Sequence, residues 1–133
     1  KMNSLWLKEN KIENFSTLDK NIESEICIIG GGIFGISTAY YLSKYGYKVV
    51  FIVSGIEFQN QAQFNPIKYI SGLVNKIKEN KGLIFENTTC YDIKKEGNGY
   101  ICYTKNNEIK TKYVVIATQY PFINFPGIYF AKK

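Results

Sequence analysis

The chain of 133 residues contains no histidine, which removes the commonest general base and a favoured metal ligand. It has only three cysteines, Cys27, Cys90 and Cys102, and no two of them form a Cys-x-x-Cys pair. Because such spacing is the usual sign of a metal or redox site, its absence favours buried, reduced thiols. The sequence therefore predicts no metal site, and it identifies no catalytic residue.

Long apolar runs are also missing from this sequence. Gly, Lys or Asn interrupts each run well short of the roughly 20 residues that span a membrane. The first residues, from Lys1 to Trp6, lack the charged-then-apolar form of a secretory signal. These two absences predict a soluble, cytoplasmic protein without a membrane partner.

Positive charge exceeds negative charge, with 17 Lys+Arg against 11 Asp+Glu and a net charge of +6. The lysines are scattered, however, and do not form the concentrated basic face that nucleic-acid binding requires. We interpret the charge as a solvated surface and predict no nucleic-acid partner. With 45% apolar residues, the chain has the length and composition of one domain with a real core.

A glycine turn between a strand and a helix is the most informative feature of the chain. The apolar run 26–29 predicts a strand, and Gly30-x-Gly32-x-x-Gly35 follows it directly. A second strand at 48–53 completes a βαβ unit. The helix between them is predicted from apolar residues at helical spacing, which are Ala39, Leu42 and Tyr45.

Each glycine of this motif has a physical role in dinucleotide binding. Gly30 allows a sharp turn, Gly32 has no Cβ to keep phosphates away, and Gly35 lets helix and strand pack closely. The pyrophosphate then lies at the positive end of the helix. The alternatives are a glycine turn without a ligand and, for the side chains of Ile33 and Phe34, plain packing. The predicted phosphate turn binds through main-chain N–H groups and comprises Gly30, Gly31, Gly32, Ile33, Phe34 and Gly35.

The rest of the chain predicts an α/β, Rossmann-like domain over 25–133, preceded by an N-terminal arm at 1–24. Its central parallel sheet carries helices and a three-stranded antiparallel meander. Ala117 and Thr118 end the last strand beside the glycine turn, at the edge where open α/β sheets bind ligands. A plain strand end is the alternative for this pair.

A helix is predicted at 67–80, where apolar residues at three- and four-residue steps form one buried stripe, and Lys81-Gly82 ends it; the stripe comprises Ile67, Ile70, Leu73, Val74 and Ile77. It is followed by a short parallel strand at 83–85 and by meander strands near 88–95, 99–105 and 108–112, with turns at Gly97-Asn98-Gly99 and Asn106-Asn107. The last predicted strand is at 113–117.

Three segments of this sequence carry a family resemblance. They are 28–37 with the glycine turn, 64–73 with Phe-Asn-Pro-x-Lys-Tyr at a helix start, and 113–119 with Ala-Thr at a strand end. Together they resemble the FAD-binding domain of the D-amino-acid-oxidase-like (DAO) family of flavin oxidoreductases. The similarity is greatest to the branch with a Trp-containing N-terminal arm and often a C-terminal Rieske domain.

This resemblance implies FAD as the cofactor and a parent oxidoreductase that oxidises an amine or amino-acid-like small molecule. It also implies that the backbone of Cys90 contacts the adenine edge. Family members usually have a Glu at the end of the second strand, where it binds the adenosine ribose. This sequence has Val53 or Ser54 there, and the nearest acid is Glu57.

The resemblance also implies parts that this chain does not contain. Family members have a long segment before the Asn-Pro helix, whereas this chain has only 54–65, and it lacks their substrate-binding sheet. We therefore expect a piece of a longer protein, an internally deleted form, or segments joined across missing ones, and we expect the piece alone to be inactive. Two other functions stay open, an NAD(P)-dependent Rossmann dehydrogenase and a non-catalytic remnant. The oligomeric state is not predicted.

Overall fold

The computed structural model describes residues 15–54, 66–117 and 129–130. Two helices and seven strands lie within these residues. In chain order they are β1 (Ile22–Ile29), α1 (Gly32–Lys44), β2 (Val49–Ile52), α2 (Pro66–Glu79), β3 (Leu83–Phe85), β4 (Asp92–Glu96), β5 (Gly99–Tyr103), β6 (Glu108–Ile116) and β7 (Tyr129–Phe130).

All the described strands form one sheet, in the order β3-β2-β1-β6-β5-β4, with β7 also paired to β6. β1 lies parallel to both β2 and β6, and β2 lies parallel to β3. β4, β5 and the first half of β6 pair antiparallel and form the meander. The predicted Rossmann-like fold, with a parallel sheet, helices and a three-stranded meander, is therefore confirmed.

β6 corrects the prediction of separate strands at 108–112 and 113–117, because it is continuous from Glu108 to Ile116. Its pairing with β1 keeps one register from Ile22 to Ile29. On its other side the partner changes, since β5 ends its pairing at Thr111 and β7 begins at Val115. The break in the apolar pattern at 112–113 marks this change of partner and not a break in the backbone.

β4 begins at Asp92, later than the predicted start near residue 88. Side-chain hydrogen bonds hold the preceding residues in another arrangement. The Thr88 hydroxyl donates to the Glu86 carbonyl at 2.9 Å and accepts from the Leu18 amide at 3.2 Å. The predicted turn between β4 and β5 is confirmed, because Glu96 pairs with Gly99 and Gly97 has a φ of 59°.

Both helices pack on one face of the parallel strands. The predicted stripe of α2 is confirmed, with Ile70, Val74 and Ile77 buried in the same cluster as Phe51 of β2. α2 ends at Glu79, and Lys81 takes the left-handed conformation with a φ of 69°. For α1 the prediction was wrong at one position: Ala39 is buried and Leu42 half-buried, but Tyr45 is 70% exposed. Tyr45 follows the last helical residue, so its ring points to solvent.

The three cysteines lie in the core on the opposite face of the sheet, as free and buried thiols, which confirms their prediction. The Cys90 thiol donates to the Asp92 carbonyl at 3.3 Å. A hydrogen bond with Cys102, together with burial, raises the pKa of Cys90 well above its ordinary value. A hydrogen bond with Cys27, together with burial, likewise raises the pKa of Cys102. Since thiolates are the reactive form, this cluster is chemically inert.

Candidate dinucleotide-binding site

The carboxyl ends of three parallel strands meet at the glycine turn. The Gly30 amide donates to the Ile52 carbonyl at the end of β2, with an N···O distance of 2.7 Å. The Ala117 amide, directly after β6, donates to the Ile29 carbonyl at 2.9 Å. β2 and β6, the two neighbours of β1, thus lie in opposite halves of the sheet. The point where the strand order reverses in this way is where open α/β sheets bind ligands.

The turn consists of three successive glycines with positive φ, at 71° for Gly30, 101° for Gly31 and 52° for Gly32. The motif leaves the middle position unspecified, yet the structure requires glycine there. A Cβ on Gly31 would lie 2.5 Å from the Ala117 carbonyl oxygen and 2.6 Å from the Ala117 Cβ. Sequence spacing missed this requirement because it arises from contact with a strand that is distant in the chain.

The predicted packing role of Gly35 is confirmed. A Cβ there would lie 2.1 Å from the Gly30 carbonyl oxygen and 2.6 Å from Cε1 of Phe51. The first turn of α1 therefore lies directly against the turn and against β2. This contact fixes the direction in which the N-terminus of the helix points.

The start of α1 offers main-chain donors to an anion. Its N-cap residue Gly31 makes no side-chain capping bond, and the first turn contains no acidic residue. The amides of Gly32, Ile33 and Phe34 have no acceptor within the helix, since the first turn of any helix leaves its N–H groups without one. Two other predicted donors are already used, because the Gly30 amide bonds to Ile52 and the Gly35 amide to the Gly31 carbonyl at 3.1 Å.

These two bonds occupy the amides of Gly30 and Gly35, so within the predicted run from Gly30 to Gly35 the amides of Gly32, Ile33 and Phe34 are available to a ligand. Binding of a pyrophosphate by this run stays a prediction. The side chains of Ile33 and Phe34 pack against the helix-side core, as the packing alternative expected. The side chains of Ile33 and Phe34 therefore stabilise the core, while their amides are available to a ligand.

A second group of residues lies at the end of β2. Val53 donates to the Phe85 carbonyl at 3.1 Å and accepts from the Thr88 amide at 3.0 Å. These bonds bring Ser54 beside Thr89, and their hydroxyl oxygens are 2.7 Å apart. Neither position at the end of this strand, Val53 or Ser54, carries the carboxylate that the resemblance led us to expect, and Glu57 lies outside the described residues.

The other predicted site residues fall in different places. Cys90 follows Thr89 at the same edge, with its side chain turned into the core. Ala117 is buried against the glycine turn, and Thr118 lies outside the described residues. Over 15–54, 66–117 and 129–130 no group of His, Cys, Asp or Glu side chains is arranged to hold a metal ion. Within the same ranges, no helix is both long and apolar enough to cross a membrane.

The uncapped helix start and its glycine turn fit a pyrophosphate, and the segment that contains them matches a known family model. Residues 25–54 match the DAO family of FAD-dependent oxidoreductases. The match covers β1, the glycine turn, α1 and β2, so the resemblance seen in the sequence is confirmed over the candidate site. Ser54, which follows β2, is the last residue of the match.

Curated relatives agree with this family. The chain is 32% identical over 74 residues to a putative Rieske 2Fe-2S iron-sulfur protein, YhfW, of Bacillus subtilis, covering 56% of the chain and 14% of the relative. It is 42% identical over 41 residues to gamma-glutamylputrescine oxidoreductase of Escherichia coli, covering 31% of the chain and 10% of the relative. The chain thus spans about a seventh or less of the length of the curated relatives that it matches.

A solved structure extends the similarity beyond the glycine segment. L-proline dehydrogenase from P. horikoshii aligns with a TM-score of 0.62 and 27% identity. The alignment covers 76% of this chain and 24% of the dehydrogenase. About three quarters of the chain therefore corresponds in fold to one part of a larger dehydrogenase.

Proposed function

We propose that this chain is the FAD-binding part of an oxidoreductase that oxidises an amine or amino-acid-like small molecule. The observation that carries the proposal is the uncapped start of α1, which follows three left-handed glycines where β1, β2 and β6 end. A helix start of this kind binds phosphate through its amides and its dipole. The DAO match over 25–54 supports FAD as the dinucleotide.

The named relatives support the substrate class. Gamma-glutamylputrescine oxidoreductase and L-proline dehydrogenase both act on compounds with an amine nitrogen. FAD supplies the two-electron acceptor for such a reaction when it is bound. Oxidation of the small molecule also requires residues that enclose the flavin and position the substrate, and we assign those to the remainder of the parent protein. We place the parent in the cytoplasm, where reduced thiols such as these three are the rule.

Within this chain, each part of the site has its own task toward FAD. The amides of Gly32, Ile33 and Phe34 bind the pyrophosphate, and Gly31 lets the turn approach Ala117. Ala117 borders the pyrophosphate on the β6 side, and the backbone near Cys90 lies on the adenine side. None of these groups transfers a proton or an electron, so the chain binds and orients the cofactor.

Calorimetric titration of the chain with FAD tests the proposal. We expect saturable binding, and an increase of about 2.7 kcal/mol in the free energy of unfolding at a ligand concentration 100 times the Kd. A thermal shift with NADH and none with FAD would instead favour the dehydrogenase alternative. No shift with either dinucleotide at millimolar concentration would contradict dinucleotide binding by this chain and leave the non-catalytic remnant as the alternative.

A further inference from the structure

We propose that the hydroxyls of Ser54 and Thr89 bind the adenosine ribose in place of the carboxylate usual at the end of β2. The inference rests on the proposed function, because it assigns a part of the same dinucleotide site. In Rossmann folds an acidic residue about 20 positions after the glycine turn binds the ribose 2′-hydroxyl. In this chain the corresponding strand end carries Val53, which is buried, and Ser54, which is exposed.

The backbone holds the two hydroxyls at the correct place for a ribose. The Ile52 carbonyl accepts from Gly30, and Ser54 lies two residues further along, which is at most ~7 Å of extended chain. Thr89 is fixed from the other side, because the Thr88 amide bonds to the Val53 carbonyl at 3.0 Å. The pair is therefore anchored to the same strand that anchors the phosphate turn.

The two hydroxyls keep unused hydrogen-bonding capacity. Their mutual bond, with an O···O distance of 2.7 Å, uses one proton of the two. Each hydroxyl has one donor and two acceptor positions, so the pair still offers one proton and several lone pairs. Ser54 is exposed, which leaves this capacity accessible to a ligand. A ribose diol, which both donates and accepts, matches such a pair.

Of the nearby acids in the described part of the chain, Asp92 does not replace the pair. The Asp92 carboxylate accepts from the Ile93 amide at 2.9 Å and so is turned toward its own strand. Glu86 precedes Thr88 in the loop, and its amide donates to the Ser16 carbonyl at 3.2 Å. Glu57 belongs to the chain outside the described residues, so Glu57 and Glu86 are tested directly below.

The experiment compares ADP with 2′,3′-dideoxy-ADP by calorimetric titration of the full 133-residue chain. We expect the wild type to bind ADP roughly three- to tenfold more tightly, as neutral hydrogen bonds to the diol predict. The variants Ser54→Ala and Thr89→Val are expected to bring the two affinities together. Thr89→Ser keeps the hydroxyl and is expected to keep the preference.

Ser24→Ala is the matched control. Its hydroxyl donates to the Thr111 hydroxyl at 3.0 Å, in a second Ser–Thr pair at the opposite end of β1. We expect this variant to bind both nucleotides as the wild type does. Ser54→Glu is expected to increase the preference for ADP further, because hydrogen bonds to a carboxylate are about twice as strong.

Two outcomes would overturn the inference while leaving the proposed function intact. One is that the wild type binds FAD and ADP but does not distinguish ADP from the dideoxy analogue. The other is that Glu57→Gln or Glu86→Gln abolishes the preference while Ser54→Ala and Thr89→Val keep it. Absence of binding by FAD and ADP at millimolar concentration would overturn the proposed function, and the inference with it.

Discussion

The two ends of β1 are built from different kinds of hydrogen bond. At the amino end, side chains pair with one another or with nearby backbone: Ser24 with Thr111, the Glu25 carboxylate with the Lys48 amide at 2.7 Å, and Asn21 with the Glu108 amide at 2.9 Å. At the carboxyl end, glycines leave the amides of the helix start without a capping side chain. The side chains named at the amino end bond within the protein, whereas the amides at the carboxyl end are available to a ligand.

Among the described residues, one open depression of about 370 Å³ lies at the amino end of β1, away from the glycine turn. It is lined by acids and lysines together, among them Glu23, Glu96, Lys110 and Lys112. Because groups of both signs line it, this surface has no clear preference for an anion.

The largest expected effect comes from filling the contact between α1 and the glycine turn. Gly35→Ala places a Cβ 2.1 Å from the Gly30 carbonyl oxygen, so we expect a loss of about 3 kcal/mol or more in the free energy of unfolding. Gly72→Ala, in α2 with nothing within 4 Å of its Cβ, is the control and is expected to gain about 0.5 to 1 kcal/mol. Chemical denaturation measures both. Equal stabilities would contradict the close packing.

The buried cysteines in the core between the two ends predict that the free energy of unfolding depends on pH. The folded pKa values of Cys90 and Cys102 are raised, while an unfolded thiol ionises near ~8.5. Above that pH the folded state binds more protons than the unfolded state, so the free energy of unfolding falls, by roughly 1 to 2 kcal/mol per pH unit for each thiol. Below that pH the contribution is fully present. Cys90→Ala is expected to reduce the slope measured by denaturation between pH 8 and 10 in buffers chosen to cover that range.

Comparing Gly31→Ala with a control glycine separates the effect of backbone strain from the effect of contact with Ala117, which follows β6. We expect it to lower the free energy of unfolding by about 2 kcal/mol and to weaken FAD binding roughly tenfold, because the turn must move away from Ala117. Gly46→Ala is its control, since Gly46 has a similar φ of 95° and nothing within 4 Å of its Cβ. That variant should lose stability without any change in the Kd for FAD. A Kd unchanged in both variants would remove Ala117 from the site.

The smallest effect is expected at the amino end, and it should be confined to stability. Thr111 is buried, accepts from Ser24 and donates to the Tyr113 carbonyl at 3.1 Å. Thr111→Val is expected to cost about 1 to 2 kcal/mol, because it leaves partners unsatisfied. The Kd for FAD, measured by titration, should not change. A weaker affinity would mean that the two ends are coupled through β1 and β6.

Local patterns were sufficient to predict the glycine turn, the helix stripe of Ile70, Val74 and Ile77, and the tight turn at Gly97. Apart from Tyr45, which lies just past the end of α1, the errors occurred where a residue's environment is set by a distant segment. Gly31 is constrained by Ala117, and Thr88 and Thr89 are held out of β4 by Leu18 and Ser54. β6 looked like two strands because its neighbour changes while its backbone continues. Such contacts cannot be inferred from periodicity, which reports only on neighbours in sequence.

The shared strand β6 has a consequence for how the molecule forms. β1 pairs with β6 residues that lie 87 positions later in the chain, as the Ser24–Thr111 bond shows. On the ribosome, β1, α1 and β2 emerge long before that partner, with one edge of β1 still unpaired. The glycine turn therefore gains its contact with Ala117 only after β6 has emerged, and folding is expected to be slow because the pairing of β1 with β6 is so non-local.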